Sequence, residues 1–213
     1  MLGEELDSVT NYPFRETIIS FLKDEIGSSY FYKRIMNIRE NYPKESFFAN
    51  MNILGNHDTE RIFTCLKEDF NKLRLALCLQ MTLPGVPLIY YGDESGLLGG
   101  VDQENRGAYP WRKENKGILN LYRFFGNLRK EEVLLRSGEF YIYKDIPEDV
   151  IVFKRYLKNK AIIIFINRGV KKRTITLKGE CGLYYDKFTM GKIFCKDYLK
   201  VSLKGENYKI LIN

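Results

Sequence analysis

The chain has 213 residues, of which 45% are hydrophobic and 14% aromatic, so it has enough apolar surface to build a core and is not a disordered tail. Its formal net charge is +7, but its basic residues are scattered among acidic ones and form no stripe with stacking aromatics, which argues against nucleic-acid binding. No apolar run approaches the roughly 18 to 20 residues of a membrane-spanning helix. Neither a nucleic acid nor a membrane is therefore expected as a partner.

The first two-thirds of the chain alternates short apolar runs with longer segments of helical periodicity. This alternation is typical of β-α-β units and a parallel sheet. The pattern predicts strands at residues 6–11, 47–55 and 86–91, the last of them buried, and helices at residues 15–25, 69–83 and 117–130. A loop rich in glycine and charge is predicted between residues 92 and 115.

The residue pattern changes beyond Ser137-Gly138, where strand-like runs follow one another with turn signals and little helical periodicity. Such spacing predicts an antiparallel sheet unit. The predicted strands are residues 140–143, 150–156, 161–167, 173–177, 192–195 and 208–212. We therefore predict two domains, residues 1–136 and residues 137–213.

The four cysteines show neither a C-x-x-C spacing nor a histidine partner beyond His57, so neither a zinc cluster nor a disulfide scaffold is indicated. We interpret all four as reduced packing residues. No cofactor and no metal site is implied by the residues present.

Polar residues follow two of the predicted strands directly: the run 56–58 is Asn-His-Asp, and Asp93-Glu94 follows the strand at 86–91. In parallel α/β architectures, ligands bind at the carboxyl ends of the strands. His57 is the sole histidine of the chain. A lone His-Asp pair is, however, more often a hydrogen-bonded loop brace, and Asp93 and Glu94 equally suit a capping role. No G-x-S-x-G elbow supports a Ser-His-Asp hydrolase. Spacing alone therefore does not decide whether these residues form a structural brace or a functional site.

Taken together, several segments resemble the α-amylase family of glycoside hydrolases. Residues 53–61, ILGNHDTER, resemble its fourth signature region, and residues 85–96, GVPLIYYGDESG, resemble its eighth barrel strand. Residues 6–14, LDSVTNYPF, resemble the sixth strand as found in neopullulanases and cyclomaltodextrinases. The run DQENR at 102–106, followed by YPW at 109–111, is similar to the loop after strand eight in the same subgroup.

The resemblance covers about residues 3–111, and the β-rich tail fits the family's C-terminal domain. It implies an α/β fold followed by an all-β part: a partial (β/α)8 TIM barrel with strands six to eight, then a C-terminal antiparallel β-sandwich domain. The implied activity is retaining hydrolysis of α-1,4 glucans, with α-1,6 linkages as a further option, in maltodextrins, cyclodextrins or pullulan. That chemistry needs a carboxylate nucleophile and a carboxylic acid on either side of the glycosidic bond.

By resemblance, Asp58 is the third carboxylate of the family, which stabilises the transition state. His57 is implied to hydrogen-bond the same sugar, and Asp102 and Arg106 match positions that contact a glucose further from the cleavage point. Gln103 stands where the family usually has proline, so the shape of this loop is expected to differ. Tyr12, Tyr91 and Trp111 are additional candidates for stacking on sugar faces, although burial in a barrel is the commoner fate of such residues.

The family's nucleophile and acid/base both precede the segment 6–14, so neither is expected in this chain, and the chain alone is expected to be inactive. Glu4 and Glu5 are poor substitutes, because the resemblance places them in the connection leading into strand six. Strands six to eight alone leave sheet edges exposed. The expected partners are therefore an α-glucan oligosaccharide and the missing N-terminal barrel portion, or another chain that covers those edges.

Three origins remain open for such a chain: an expressed fragment of a longer enzyme, one half of a split gene, or a shortened product recruited for binding. The alternative function is accordingly a non-catalytic glucan-binding or interaction module derived from the enzyme. We expect a cytoplasmic location, although any export signal of a longer protein would precede Met1.

Overall fold

The computed structural model describes residues 7–213. In this range the first part of the chain is mainly helical. None of the helices described is long and apolar enough to cross a membrane. The helices are α1 (Tyr12–Leu22), α2 (Ser28–Asn41), α3 (Lys44–Ala49), α4 (Ile62–Cys65), α5 (Phe70–Thr82), α6 (Lys116–Glu131) and α7 (Val133–Ser137).

Two short parallel strands lie among these helices, β1 (Met51–Ile53) and β2 (Val86–Leu88), with Met51 opposite Val86. Thr10 forms a parallel bridge to Met51 on the other side of β1, so three neighbouring segments run in the same direction. The connection from β1 to β2 contains the short helix α4 and the longer helix α5, as the β-α-β pattern predicts. The predicted strand at 6–11 reduces to this single bridge, and its first residue, Leu6, lies outside the described residues, as do Glu4 and Glu5.

The structure corrects two of these strand predictions. Residues 47–49 belong to helix α3, which follows Pro43 and buries Phe47, so only the second half of the predicted 47–55 run is extended. The prediction that the strand at 86–91 is buried is wrong, because β2 is an edge strand with Val86 49% and Leu88 42% exposed.

Helix α1 begins three residues earlier than the sequence predicts. The Asn11 side chain caps it by accepting a hydrogen bond from the backbone N–H of Phe14, at 3.2 Å, and Pro13 stands in its first turn, where a missing N–H is tolerated. Helix α2 was not predicted: Gly27 precedes it without a side-chain cap, although Phe31, Ile35 and Ile38 recur at helical spacing and are buried. Helices α5 and α6 agree with the predicted ranges.

The second part of the chain is built from antiparallel strands. A six-stranded sheet has the order β3-β4-β5-β10-β7-β8, and β6 pairs with β9 in a separate two-stranded ribbon. Two of these strands, β7 and β9, were not predicted. The strands are β3 (Glu139–Ile142), β4 (Val150–Leu157), β5 (Lys160–Asn167), β6 (Arg173–Lys178), β7 (Gly182–Asp186), β8 (Lys192–Cys195), β9 (Tyr198–Leu203) and β10 (Asn207–Ile212).

The central strand β5 is buried on both faces, because its side chains alternate between two apolar clusters. Ile162 and Ile164 join the cluster formed by the helices, whereas Ile163 and Phe165 join a second cluster against the β6–β9 ribbon. The first cluster therefore runs without interruption from α1 across the predicted boundary after residue 136 into the six-stranded sheet.

Three of the four cysteines are packing residues with free thiols, as predicted: Cys65, Cys78 and Cys195 are buried. Burial raises the pKa of all three thiols, which keeps them protonated at neutral pH. The prediction is wrong for Cys181, whose side chain is exposed at the start of β7.

A buried arginine joins the two parts of the chain. Arg155, on β4, is fully buried, and its guanidinium donates hydrogen bonds to the carbonyl oxygens of Thr82 at 3.1 Å, Leu135 at 2.9 Å and Gly138 at 2.8 Å. Thr82 and Leu135 lie at the C-terminal turns of α5 and α7, where backbone carbonyls lack helical partners. One side chain thus satisfies backbone groups from three segments.

We expect Arg155→Met to lower the free energy of unfolding by about 3 kcal/mol, because it leaves buried carbonyls without donors. Urea unfolding followed by circular dichroism measures this change. The matched control is Arg123→Met on the exposed face of α6, where we expect a change within about 0.5 kcal/mol. Equal effects of the two substitutions would contradict the role given to Arg155.

Candidate active site

The loop that follows β1 carries the His57-Asp58 pair. Asn56 is buried, and its side-chain oxygen accepts a hydrogen bond from the backbone N–H of Asp58 at 3.0 Å. Thr59 closes the turn from the other side, because its hydroxyl accepts from the backbone N–H of Asn56 at 3.0 Å. This tight turn directs the next two side chains outward: His57 is 61% and Asp58 55% exposed.

Both carboxylate oxygens of Asp58 have partners. Nε2 of His57 lies 3.2 Å from Oδ1, and the hydroxyl of Tyr12 lies 3.1 Å from Oδ2. The side-chain amide of Asn56 in turn donates to the Tyr12 hydroxyl at 2.6 Å. The structure therefore brings His57 and Asp58 together and adds Tyr12, whose hydroxyl the sequence did not single out.

Asp102 and Arg106 lie at the two ends of a short 3-10 helix (Asp102–Arg106), and both side chains are exposed. Asp102 has a φ of 60°, in the left-handed region that Asp and Asn tolerate better than most residues. Among the described residues, no hydrogen bond or ion pair joins either side chain to His57 or Asp58. The two pairs are connected through the backbone instead.

Asn105 makes that connection. It is fully buried in the 3-10 helix, and its side-chain amide donates to the carbonyl oxygens of His57 at 2.9 Å and Thr59 at 2.8 Å, with a longer contact of 3.4 Å to that of Asn56. The loop after β2 and the loop after β1 are thus held together by one side chain. Sequence analysis missed Asn105, although it lies inside the DQENR run.

Asp93 does not face the open site. It is 3% exposed and accepts a hydrogen bond from Nη1 of Arg61 at 2.9 Å, which also donates to the Tyr91 carbonyl at 2.7 Å. Burial raises the pKa of Asp93 to about 7, while the Arg61 charge acts in the opposite direction. The Arg61 guanidinium also lies 4.6 Å from the centre of the Tyr90 ring. Arg61 and Asp93 thus form a buried ion pair that joins the segment after β1 to the segment after β2.

The aromatic residues near the loops are exposed in this chain rather than buried. Tyr12 is 37%, Tyr91 44% and Trp111 77% exposed. Tyr91 donates its hydroxyl to the Gly107 carbonyl at 3.0 Å, and the Trp111 ring packs against Tyr109 with centroids 4.6 Å apart. Of the three, only Tyr12 contacts Asp58, through its hydroxyl. No cluster of three or more His, Cys, Asp or Glu suited to a metal ion occurs within residues 7–213.

A family model for the α-amylase catalytic domain matches residues 2–120, more than half of the chain. The chain belongs to the α-amylase family. A cyclomaltodextrinase from Thermoanaerobacter pseudethanolicus is 36% identical over 178 residues, covering 82% of this chain and 31% of that protein. Neopullulanase 2 from Thermoactinomyces vulgaris is 33% identical over 182 residues, covering 84% of this chain and 31% of that protein.

Solved structures of α-amylase-family enzymes match nearly the whole chain. A cyclomaltodextrinase structure superimposes with a TM-score of 0.90 at 26% identity, covering 99% of this chain and 38% of that one. A cyclic α-maltosyl-(1→6)-maltose hydrolase from Arthrobacter globiformis gives a TM-score of 0.84 at 26% identity, covering 99% and 46%. The chain thus spans about a third or less of the length of the curated relatives it matches and under half of these structures.

We expect the stability of this α-amylase-family chain to carry a pH dependence that is due to Asp93. The unfolded carboxyl titrates near its ordinary value of 3.8, whereas burial in the folded state raises the pKa to about 7. Between pH 4 and 7 the folded chain therefore holds more protons than the unfolded chain, and the free energy of unfolding falls by up to about 1.4 kcal/mol per pH unit.

Asp93→Asn removes this contribution and serves as the reference. In urea unfolding at several pH values, the stability of the wild type minus that of Asp93→Asn should decrease as pH rises from 4 to 7. An increasing difference would mean that the Arg61 charge outweighs burial.

We further expect Asn105→Ala to loosen the loop that carries His57 and Asp58, since three carbonyl oxygens lose their shared donor. Hydrogen exchange at the backbone amides of residues 56–61 should accelerate about tenfold. Gln103→Ala, at an exposed position of the same 3-10 helix, is the control and should leave these exchange rates unchanged. Unaltered exchange in Asn105→Ala would show that the two loops are held together in another way.

Proposed function

We propose that this chain supplies part of the active site of a retaining glycoside hydrolase acting on α-linked glucans such as maltodextrins, cyclodextrins or pullulan. The observation that carries the proposal is the exposed His57-Asp58 pair, held at the carboxyl end of β1 in a chain of the α-amylase family. Relatives named cyclomaltodextrinase, neopullulanase and amylopullulanase support α-glucans as the substrate class.

In this proposal Asp58 is the carboxylate that stabilises the oxocarbenium-like transition state, and its exposed position leaves it accessible to sugar hydroxyls. Nε2 of the His57 imidazole lies against Asp58, so Nδ1 is the nitrogen left for a hydroxyl of the same sugar. Asp102 and Arg106 contact a glucose further away, on a turn whose position relative to Asp58 is set by Asn105. The nucleophile and the acid/base come from a polypeptide segment outside these 213 residues.

We assign residues 1–136 to strands six to eight of a (β/α)8 barrel and residues 137–213 to a β-sandwich domain. The parallel order of the Thr10 segment, β1 and β2 supports the first assignment, and the two sheets that enclose a shared apolar cluster support the second. Val86, Leu88 and Ile89, each more than 40% exposed, mark the edge where the remaining barrel strands pack.

The test is maltodextrin hydrolysis by the purified chain, alone and mixed with a polypeptide that supplies the missing barrel strands. We expect no hydrolysis by the chain alone, because two of the three required carboxylates are absent, and activity in the mixture. Asp58→Asn, which keeps the shape of the side chain and removes its charge, should reduce kcat/KM of the mixture on the order of a thousandfold.

Activity of the chain alone would overturn the assignment of the missing carboxylates and return attention to Glu4 and Glu5. Sugar binding by the chain without hydrolysis in any mixture would favour the alternative, a glucan-binding module. Isothermal titration with maltooligosaccharides separates these outcomes, since binding is measured without turnover.

A further inference from the structure

Tyr12, Asn56 and Asp58 form a closed ring of hydrogen bonds. The Asn56 side-chain amide donates to the Tyr12 hydroxyl at 2.6 Å, the Tyr12 hydroxyl lies 3.1 Å from Oδ2 of Asp58, and the Asp58 backbone N–H donates to the Asn56 side-chain oxygen at 3.0 Å. Tyr12 is the first residue of α1, so the ring ties the start of that helix to the loop after β1.

The chemistry of the groups leaves only one direction for the protons around this ring. The Asn56 amide nitrogen is only a donor, so the Tyr12 oxygen accepts from it and the single phenolic proton remains for Asp58. An ionised carboxylate only accepts, which matches that proton. The Asp58 N–H donates to the side-chain oxygen of Asn56, and this contact determines which end of the amide is the oxygen and which is the nitrogen.

We propose that Tyr12 is a positioning residue for Asp58 and that it acts through its hydroxyl rather than through its ring. This inference rests on the proposed function and adds a residue to it. With Tyr12 on Oδ2 and His57 on Oδ1, the carboxylate plane is set before a sugar arrives, and no reorientation is needed in the transition state.

The competing role for Tyr12 is sugar stacking, since its ring is 37% exposed beside the site. The two roles depend on different atoms. Tyr12→Phe keeps the ring and removes the hydroxyl, whereas Tyr12→Leu removes both. Positioning predicts that both variants are impaired to a similar extent, and stacking predicts that only Tyr12→Leu is impaired.

The first measurement uses the isolated chain. His57 is its sole histidine, so a histidine-selective NMR spectrum shows one imidazole, which sits 3.2 Å from Asp58. We expect the His57 resonances to move in Tyr12→Phe in the same direction as in Asp58→Asn, because each variant weakens the contact between Nε2 of His57 and the side-chain oxygen of residue 58. Tyr30→Phe, at an exposed tyrosine on α2, is the control and should leave them unmoved. Unmoved resonances in Tyr12→Phe would overturn the proposal.

The second measurement uses the active mixture with the missing strands. We expect Tyr12→Phe to reduce kcat about tenfold with KM nearly unchanged, and to add nothing in an Asp58→Asn background. Full activity of Tyr12→Phe with loss in Tyr12→Leu would overturn the proposal in favour of stacking. If the wild-type mixture is inactive, the proposed function fails, whereas the NMR measurement still decides whether Tyr12 holds Asp58.

Discussion

The part of the chain that carries the site depends on the side chain of Asn52, buried at the centre of β1. Its oxygen accepts from the Asn11 amide at 3.0 Å, and its nitrogen donates to the Pro84 carbonyl at 2.7 Å, so one side chain joins the segments on both sides of β1. Gly85 is required next to it, because its φ is 116° and a Cβ there would lie 2.4 Å from the Asn52 nitrogen. Strands of only three residues are thus aligned by buried amides as well as by backbone pairing.

Buried polar side chains also hold the loops that follow the strands. The exposed side chains of these loops are therefore free to contact a ligand. Asn105 and Arg61 bind backbone carbonyls and a buried carboxylate, and neither reaches solvent. His57 and Asp58 are exposed next to these buried residues. They are held by hydrogen bonds of their backbone groups and by the contacts of the Asp58 carboxylate with Tyr12 and His57. The loops can therefore be rigid without using the groups that are proposed to contact a sugar.

Sequence analysis predicted several elements from strong local signals and missed others whose signals were present in the chain. Helix α5 has an Asp69 cap and ends before Pro84-Gly85, so its range was predicted closely. Helix α2 has no side-chain cap at Gly27, but its buried Phe31, Ile35 and Ile38 recur at helical spacing, and β7 carries Leu-Tyr-Tyr between glycine and aspartate, so both had signals that went unread. The strict alternation of β9 was a usable signal that went unread. Edge exposure of β2 depends on which strands lie beside it, which a local pattern does not contain.

The contrast between Asp58 and Asp93 shows why the site could be predicted only in part. Each aspartate closely follows a parallel strand, and position alone gives them equal claims to a functional role. Arg61 distinguishes them, because it forms a buried pair with Asp93 at 2.9 Å, whereas the side chain of Asp58 is 55% exposed. Only two residues separate Arg61 from Asp58 in the chain, but the packing of its guanidinium against Tyr90 and Tyr91 arises only when both loops fold together. The role of each carboxylate is thus set by a long-range contact.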